Sequence, residues 1–343
     1  MFKNSHKNNE KIVSEFCLLL LSVVIPVRNE ILYISKSFVS IINASSKVES
    51  ELFFIDGLSD DGTYEWLKNA IKTIDNCKLF RNDKKYVSHG FNQIFNNTKG
   101  ELISRLDGHT IYPETYFTDA IEIFKNKHAD AVGGPANHIG IEWRGKVIAN
   151  CMMHPFGVGN SKFRTSSNEQ YVDTVPFPIY KRDVLKNIGL YDEELIKNQD
   201  DELNYRCVAN GYKILMSPLL KTNYLVRENL FDLSKQYYLY GLYKPIVFKK
   251  VVYGFRSYHF APAIHLILSI LSLVIIGLNG FGLLYFFCYL FFAFIFSIRK
   301  SRSIKYIIYS IFVFSTIHYS YGLGFIIGYI KRIYLFFSSK PLI

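Results

Sequence analysis

The sequence predicts an α/β domain on a mostly parallel sheet, followed by C-terminal membrane helices. Three observations carry this expectation. Short apolar runs alternate with helix-periodic segments over the first two thirds of the chain, polar clusters follow those runs, and the last third holds the longest uncharged stretches. Parallel strands need a crossover between them, so strand-helix alternation points to a sheet wound with helices.

Taken in order, Leu18–Val27 is continuously apolar and β-branched toward its end, as a strand covered on both faces is. The surrounding run "FCLLLLSVVIPV" is too short to span a bilayer. It runs into the charged "RNE" with no small-residue cleavage site, so it reads as a buried strand and not a signal peptide. Residues 30–43 place Ile31, Ile34, Phe38, Ile41 and Ile42 at helical spacing. "ELFFID" is a second strand, "DGTYEWLKNAIK" a second helix, "CKLF" a third strand, "SHGFNQIFNN" a third helix and "ELISRLD" a fourth strand. "NQDDELNYRCVANGYKI" reads as a helix opening at Asp200 and ending before Gly211, with Leu203, Cys207 and Val208 inward. No repeat or low-complexity linker interrupts residues 1–230, which are taken as one domain.

Charge separates this domain from the rest. Residues 231–343 hold 12 of the 40 basic residues and only Asp232 among the 29 acidic ones, so the whole excess of +11 lies there. A nucleic-acid role is excluded on this ground, since the preceding domain is neutral. The basic residues instead flank apolar stretches, expected as spans at about 260–278, 281–298 and 306–330, with a hinge at Asn279-Gly280. Residues 231–256 are rich in Tyr, Phe and Lys and are expected to lie at the interface. Lys244, Lys249, Lys250 and Arg256 precede the first span, and Arg299, Lys300, Arg302 and Lys305 lie between the second and third. A hairpin of the first two spans puts both groups, and the soluble domain, on the cytoplasmic side of a membrane, expected to be a bacterial inner membrane. The Gly-rich "YGLGFIIGYI" is left open as span, re-entrant or interfacial segment. Cys17, Cys77, Cys151, Cys207 and Cys288 form no CxxC pair, which fits a reducing compartment.

In open sheets of this kind ligands sit outside the carboxyl ends of the strands. Three polar clusters fall there: "PVRNE", "DGLSDDGT" and "DGH". Asp56 can accept hydrogen bonds from a base or a ribose, but Asp56, Ser59 and Asp61 can equally build a turn and cap the helix near Thr63. Asp107 and His109, with Arg105 before them, can hold a divalent cation between diphosphate oxygens; a loop histidine with no role is the alternative. Asp200 can act as a general base, or can serve only as a favourable acid at a helix N-terminus.

The order of these pieces resembles the family 2 glycosyltransferases with the GT-A fold, and within them the succinoglycan ExoA branch, over roughly residues 20–245. "VVIPVRNE" is similar to the family's opening nucleotide-binding strand, "FIDGLSDDGT" to "VDDGSTDGT", "RLDGH" to the D-x-D or D-x-H metal motif, and "QDDELNYR" to "EDxELxxR". "FGVGNSKFRT" and "VDTVPFPIYKRDVLKNIGLYDE" look like the branch's acceptor-side segment. The resemblance implies nucleotide-sugar binding by Pro26, Arg28, Glu30, Asp56, Arg105 and Asp107. It also implies a Mn²⁺ or Mg²⁺ ion on Asp107 and His109, and Asp200 as the base of an inverting transfer. Gln199 stands where the family has Glu, and Q-x-x-R-W is absent, with Gln236 and Tyr240 in a comparable acceptor-side place; addition of a single sugar is expected over processive synthesis. The implied partners are a nucleoside-diphosphate sugar, a lipid-linked saccharide and the membrane, for synthesis of exopolysaccharide or another surface glycan. A polyprenyl-phosphate sugar synthase and an inactive GT-A scaffold are the competing readings.

Overall fold

The structure, a computed structural model, describes residues 19–159, 161–166, 168–279, 282–299 and 303–338. Cys17, Leu18, Asn160, Gly280, Lys300 and Arg302 lie outside them. Two compact units emerge. The first takes the described residues within Met1–Ala136, Ser167–Glu193 and Arg206–Asn223; the second takes those within Asn137–Ser166, Glu194–Tyr205 and Tyr224–Ile343.

Eight strands form the sheet of the first unit: β1 (Leu21–Val27), β2 (Ser50–Asp56), β3 (Cys77–Arg81), β4 (Leu102–Arg105), β5 (Ala131–Gly133), β6 (Gln170–Tyr171), β7 (Ile179–Lys181) and β8 (Ile214–Met216). Their spatial order is β3-β2-β1-β4-β7-β5-β8-β6. The first four run parallel, as the alternation predicts. Beyond β4 the sheet is mixed: β7 is antiparallel to both its neighbours, β5 and β8 pair parallel, and β6 closes the edge antiparallel to β8.

Every residue of β1 is buried, which is why its sequence is an unbroken apolar run and not an alternating one. The covering helices are α1 (Ile31–Ser45), α2 (Thr63–Ala70), α3 (Val87–Phe95) and α4 (Tyr116–Asn126). Ile34, Phe38 and Ile41 of α1 are buried, and the Phe38 ring packs 5.3 Å from that of Phe54.

The second unit contains α5 (Trp143–Met152), the first turns of α6 (Gln199–Ala209), α7 (Leu230–Lys250), α8 (Ala261–Asn279), α9 (Gly282–Ile298) and α10 (Ile304–Ser338). Ile148, Met152, Leu233, Tyr237, Val313 and Phe314 share its main core. Two stretches, Ser257–Val274 and Ile304–Ile333, are long and apolar enough to cross a membrane, and Leu283–Ile298 is a shorter apolar helix. Large apolar side chains stand exposed on all three helices, among them Ile270 and Leu273, Phe287 and Phe291, and Ile308 and Phe312.

The Gly-rich segment is helical throughout, inside α10. Its glycines are packing contacts: a Cβ at Gly324 would lie 2.1 Å from the Tyr238 carbonyl oxygen and one at Gly328 2.3 Å from that of Leu242, while one at Gly241 of α7 would lie 2.1 Å from that of Tyr321. Such backbone-to-backbone approach between α7 and α10 excludes any side chain. Gly324→Val is therefore expected to force the helices apart and cost about 1–3 kcal/mol or more, read as a lower melting temperature in detergent. An unchanged melt would refute this packing. Among the cations grouped before the first span, Lys244 is buried and ion-paired with Asp201, and Lys250 pairs with Glu194 at 2.7 Å, so both are engaged within this unit.

Candidate active site

The crevice of the first unit begins where β1 loses β4. The β1–β2 register runs to Val27↔Asp56, but the β1–β4 register stops at Val24↔Arg105. Gly57 N donates to Val27 O and Leu106 N to Val24 O, so odd residues of β1 bond toward β2 and even ones toward β4. Pro26 therefore faces β4's side two residues past the last pair, where its missing N–H costs no ladder bond. The strands part here, at the carboxyl edge.

Asp56 ends β2 fully buried. Its Oδ2 accepts from Ser59 N at 3.1 Å, while its Oδ1 is buried with no hydrogen-bond partner. The capping geometry belongs to Asp61, whose Oδ1 accepts from Thr63 N at 3.0 Å and from Thr63 Oγ1 at 2.6 Å. Burial pushes the Asp61 carboxyl up, but the hydrogen bonds from Thr63 and Ile31 outweigh it and hold the pKa below its ordinary 3.8. The turn and the ligand readings of this motif thus apply to different atoms. A Cβ on Gly57 would lie 2.6 Å from the Lys85 carbonyl oxygen, so only glycine lets these loops meet.

Two crevice loops are laced together by contacts that no spacing announces. Asn29 N donates to Ser59 Oγ at 3.0 Å, Asn29 Nδ2 to Asp60 Oδ1 at 2.9 Å, Glu30 N to Thr63 Oγ1 at 2.9 Å and Ile31 N to Asp61 Oδ2 at 3.1 Å. Asn29, Leu58 and Lys85, one in each of the first three β–α loops, adopt positive φ of 55°, 57° and 69°. Non-glycine residues resist this conformation, and it gathers at functional edges. Arg28 is exposed on the first of these loops.

On the other side of β1, just past β4, stand Arg105, Asp107 and His109. Arg105 is buried and its Nη1 pairs with Asp107 Oδ1. Tyr112 Oη accepts from Asp107 N at 3.0 Å; burial, reinforced by the Asp107 charge, pushes the Tyr112 hydroxyl well above 10, so it stays protonated. His109 Nδ1 lies 2.9 Å from Glu30 Oε1, and His109 Nε2 lies 3.9 Å from Asp107 Oδ2. A carboxylate on Nδ1 favours the tautomer protonated there, leaving the Nε2 lone pair toward Asp107. Among the described residues no group of three or more potential ligands is placed to hold a metal. The Asp107–His109 pair nevertheless fits a Mn²⁺ or Mg²⁺ ion, because phosphate oxygens and water complete such a shell.

The first unit thus brings together Pro26, Arg28, Glu30, Asp56, Arg105, Asp107 and His109. The second unit holds Asp200, Gln236 and Tyr240. Asp200 lies in the first turn of α6 with Asp201 and Glu202. Asn198, at φ 61°, donates from Nδ2 to the Tyr240 carbonyl oxygen at 2.8 Å, and Gln236 Nε2 donates to Tyr240 Oη at 3.0 Å. The turn before Asp200 is thereby tied to the segment carrying Gln236 and Tyr240.

A parallel β3-β2-β1-β4 run whose carboxyl edge carries an Asp on one side of the first strand and a D-x-H on the other is the arrangement of the GT-A class. Residues 22–189, just under half of the chain, match the family model described as Glycosyl transferase family 2. The chain is 26% identical to a dolichyl N-acetyl-alpha-D-glucosaminyl phosphate 3-beta-D-2,3-diacetamido-2,3-dideoxy-beta-D-glucuronosyltransferase of Methanococcus voltae, over 75% of this chain and 82% of that protein. It is 28% identical to the succinoglycan biosynthesis protein ExoA of Rhizobium meliloti, over 64% of this chain and 67% of that protein. A solved structure of S. aureus TarS residues 1–349 with UDP aligns at TM-score 0.47 and 19% identity; the alignment covers 65% of this chain and 64% of the TarS chain, just under two thirds.

Proposed function

We propose that this glycosyltransferase is membrane-anchored and inverting, and that it moves a sugar from a nucleoside-diphosphate donor to a lipid-linked saccharide on the cytoplasmic face of the membrane. The observation that carries the reading is the pairing across β1 of a buried, unbonded Asp56 Oδ1 with the Asp107–His109 pair. A sealed carboxylate oxygen without a donor is costly unless a ligand supplies one, and a base or ribose hydroxyl does so. Asp107 and His109 would hold the divalent cation, which when bound supplies Lewis acidity at the departing diphosphate. Glu30 orients His109, Arg105 holds Asp107 in place, and Asp200 takes the proton from the attacking acceptor hydroxyl.

The exposed apolar side chains of α8, α9 and α10 support the anchoring, since a face of that extent is normally covered by lipid or protein. The name of the Methanococcus voltae relative describes transfer to a dolichyl-phosphate-linked sugar, which supports a lipid-linked acceptor here, and that of the Rhizobium meliloti relative describes a role in succinoglycan synthesis, which supports polysaccharide synthesis.

The test is a transfer assay on the full chain in detergent. Labelled UDP- and GDP-sugars are offered with either a polyprenyl-diphosphate saccharide or bare polyprenyl phosphate, with Mn²⁺, Mg²⁺ or EDTA. Label is expected on the saccharide acceptor and is expected to vanish with EDTA. Label on the bare phosphate alone would replace this reading with a polyprenyl-phosphate sugar synthase.

A further inference from the structure

Arg164, on the single helical turn Lys162–Thr165 of the second unit, has no carboxylate paired with it among the described residues, and its guanidinium carbon lies 5.2 Å from the centre of the Phe163 ring. Its Nη1 lies 3.4 Å from Tyr237 Oη, at the outer limit of a hydrogen bond, and its Nε is sealed from solvent with no hydrogen-bond partner. The side chains around it include Tyr237, Tyr240 and Tyr224. Beside them, Gln236 Nε2 donates to Tyr224 Oη at 3.1 Å and to Tyr240 Oη at 3.0 Å, and Gln236 Oε1 is likewise buried without a partner. Burial opposes the Arg164 charge, but an arginine guanidinium keeps its proton at neutral pH.

A guanidinium has five donors in a planar fork and no acceptor; three tyrosine hydroxyls cannot neutralise it. Arg164 is only half-buried, so an arriving anion can meet its charge, and the fork with neighbouring hydroxyl donors matches phosphate oxygens. We propose that Arg164, with Tyr224, Tyr237 and Tyr240, forms a phosphate-binding site for the diphosphate that joins the acceptor saccharide to its lipid. The assignment rests on the acceptor reading above and adds to it the group that grips the lipid-proximal end. Tyr240 also receives Asn198, two residues before Asp200, which links this site to the turn carrying the proposed base.

The experiment uses the full chain in neutral detergent with EDTA, so that binding through a divalent cation at Asp107 and His109 does not contribute. Inorganic pyrophosphate and farnesyl diphosphate are expected to raise the wild-type melting temperature. Arg164→Gln is expected to bind both at least about tenfold more weakly, and Arg164→Lys to fall between, since it keeps the charge without the fork. With metal restored, Arg164→Gln is expected to raise the acceptor KM by a similar factor and leave the UDP affinity within about twofold. Without ligand, Arg164→Gln is expected to melt at or above the wild-type temperature, because removing an uncompensated cation does not weaken the fold. Equal diphosphate binding by wild type and variant, or a ligand-free melt several degrees lower, would overturn the site. A response to micelles carrying phosphatidylglycerol but not to farnesyl diphosphate would also overturn it, assigning Arg164 to bilayer headgroups. Diphosphate binding lost in Arg164→Gln while no acceptor is ever glycosylated would sink the transfer reading and keep the site.

Discussion

Asp200→Asn is expected to cut sugar transfer by about 10²- to 10⁴-fold, the range lost when a general base is removed, while nucleotide-sugar affinity stays within about twofold. Asn keeps the shape and one acceptor oxygen of Asp but cannot take a proton. The turn before it is also tied by Asn198 Nδ2, which donates to the Tyr240 carbonyl oxygen. Rapid-quench single-turnover assays check the first expectation and isothermal titration with UDP the second. Transfer within tenfold of wild type would remove Asp200 from the mechanism and leave acidic capping as its role.

Loss of Asp107 is expected to have a comparable effect by a different route. Asp107→Asn removes the charge that a divalent cation needs while leaving an oxygen for Arg105; UDP binding should then lose its response to Mn²⁺, and turnover should fall by roughly 10²–10³. Asp107→Ala goes further, because it removes the carboxylate paired with the buried Arg105 guanidinium, and breaking such a pair typically costs about 3–5 kcal/mol. The alanine variant is therefore expected to melt lower than the asparagine variant. Titration of Mn²⁺ with and without UDP, together with thermal melts of both, separates the two effects. Metal-dependent UDP binding that survives in Asp107→Asn would place the cation elsewhere.

Much of the first unit was legible from residue order. The continuous burial of β1 made it an unbroken apolar run, and α1 had to repeat its apolar residues at helical spacing to cover it. The carboxyl-edge clusters followed, because polar residues with Asp and Gly are what a turn at a ligand crevice needs. The mixed half of the sheet was less legible: β5 to β8 have two or three residues each, too short for periodicity to mark their direction.

The sequence by itself determined which candidate groups this chain offers: Asp56 at a strand end, Asp107 and His109 two apart, Asp200 opening a helix, and a charge excess confined to an apolar last third. Only tertiary structure decided how those groups are held. The Glu30–His109 contact spans 79 residues, the Asn29–Asp60 latch 31 and the Arg164–Tyr237 approach 73, and no local pattern records a pairing at that distance. Hydrogen-bond partners are chosen by the path of the backbone, whereas strand and helix are chosen by the side chains of neighbours a few residues away; the former had to be seen folded, and the latter could be read.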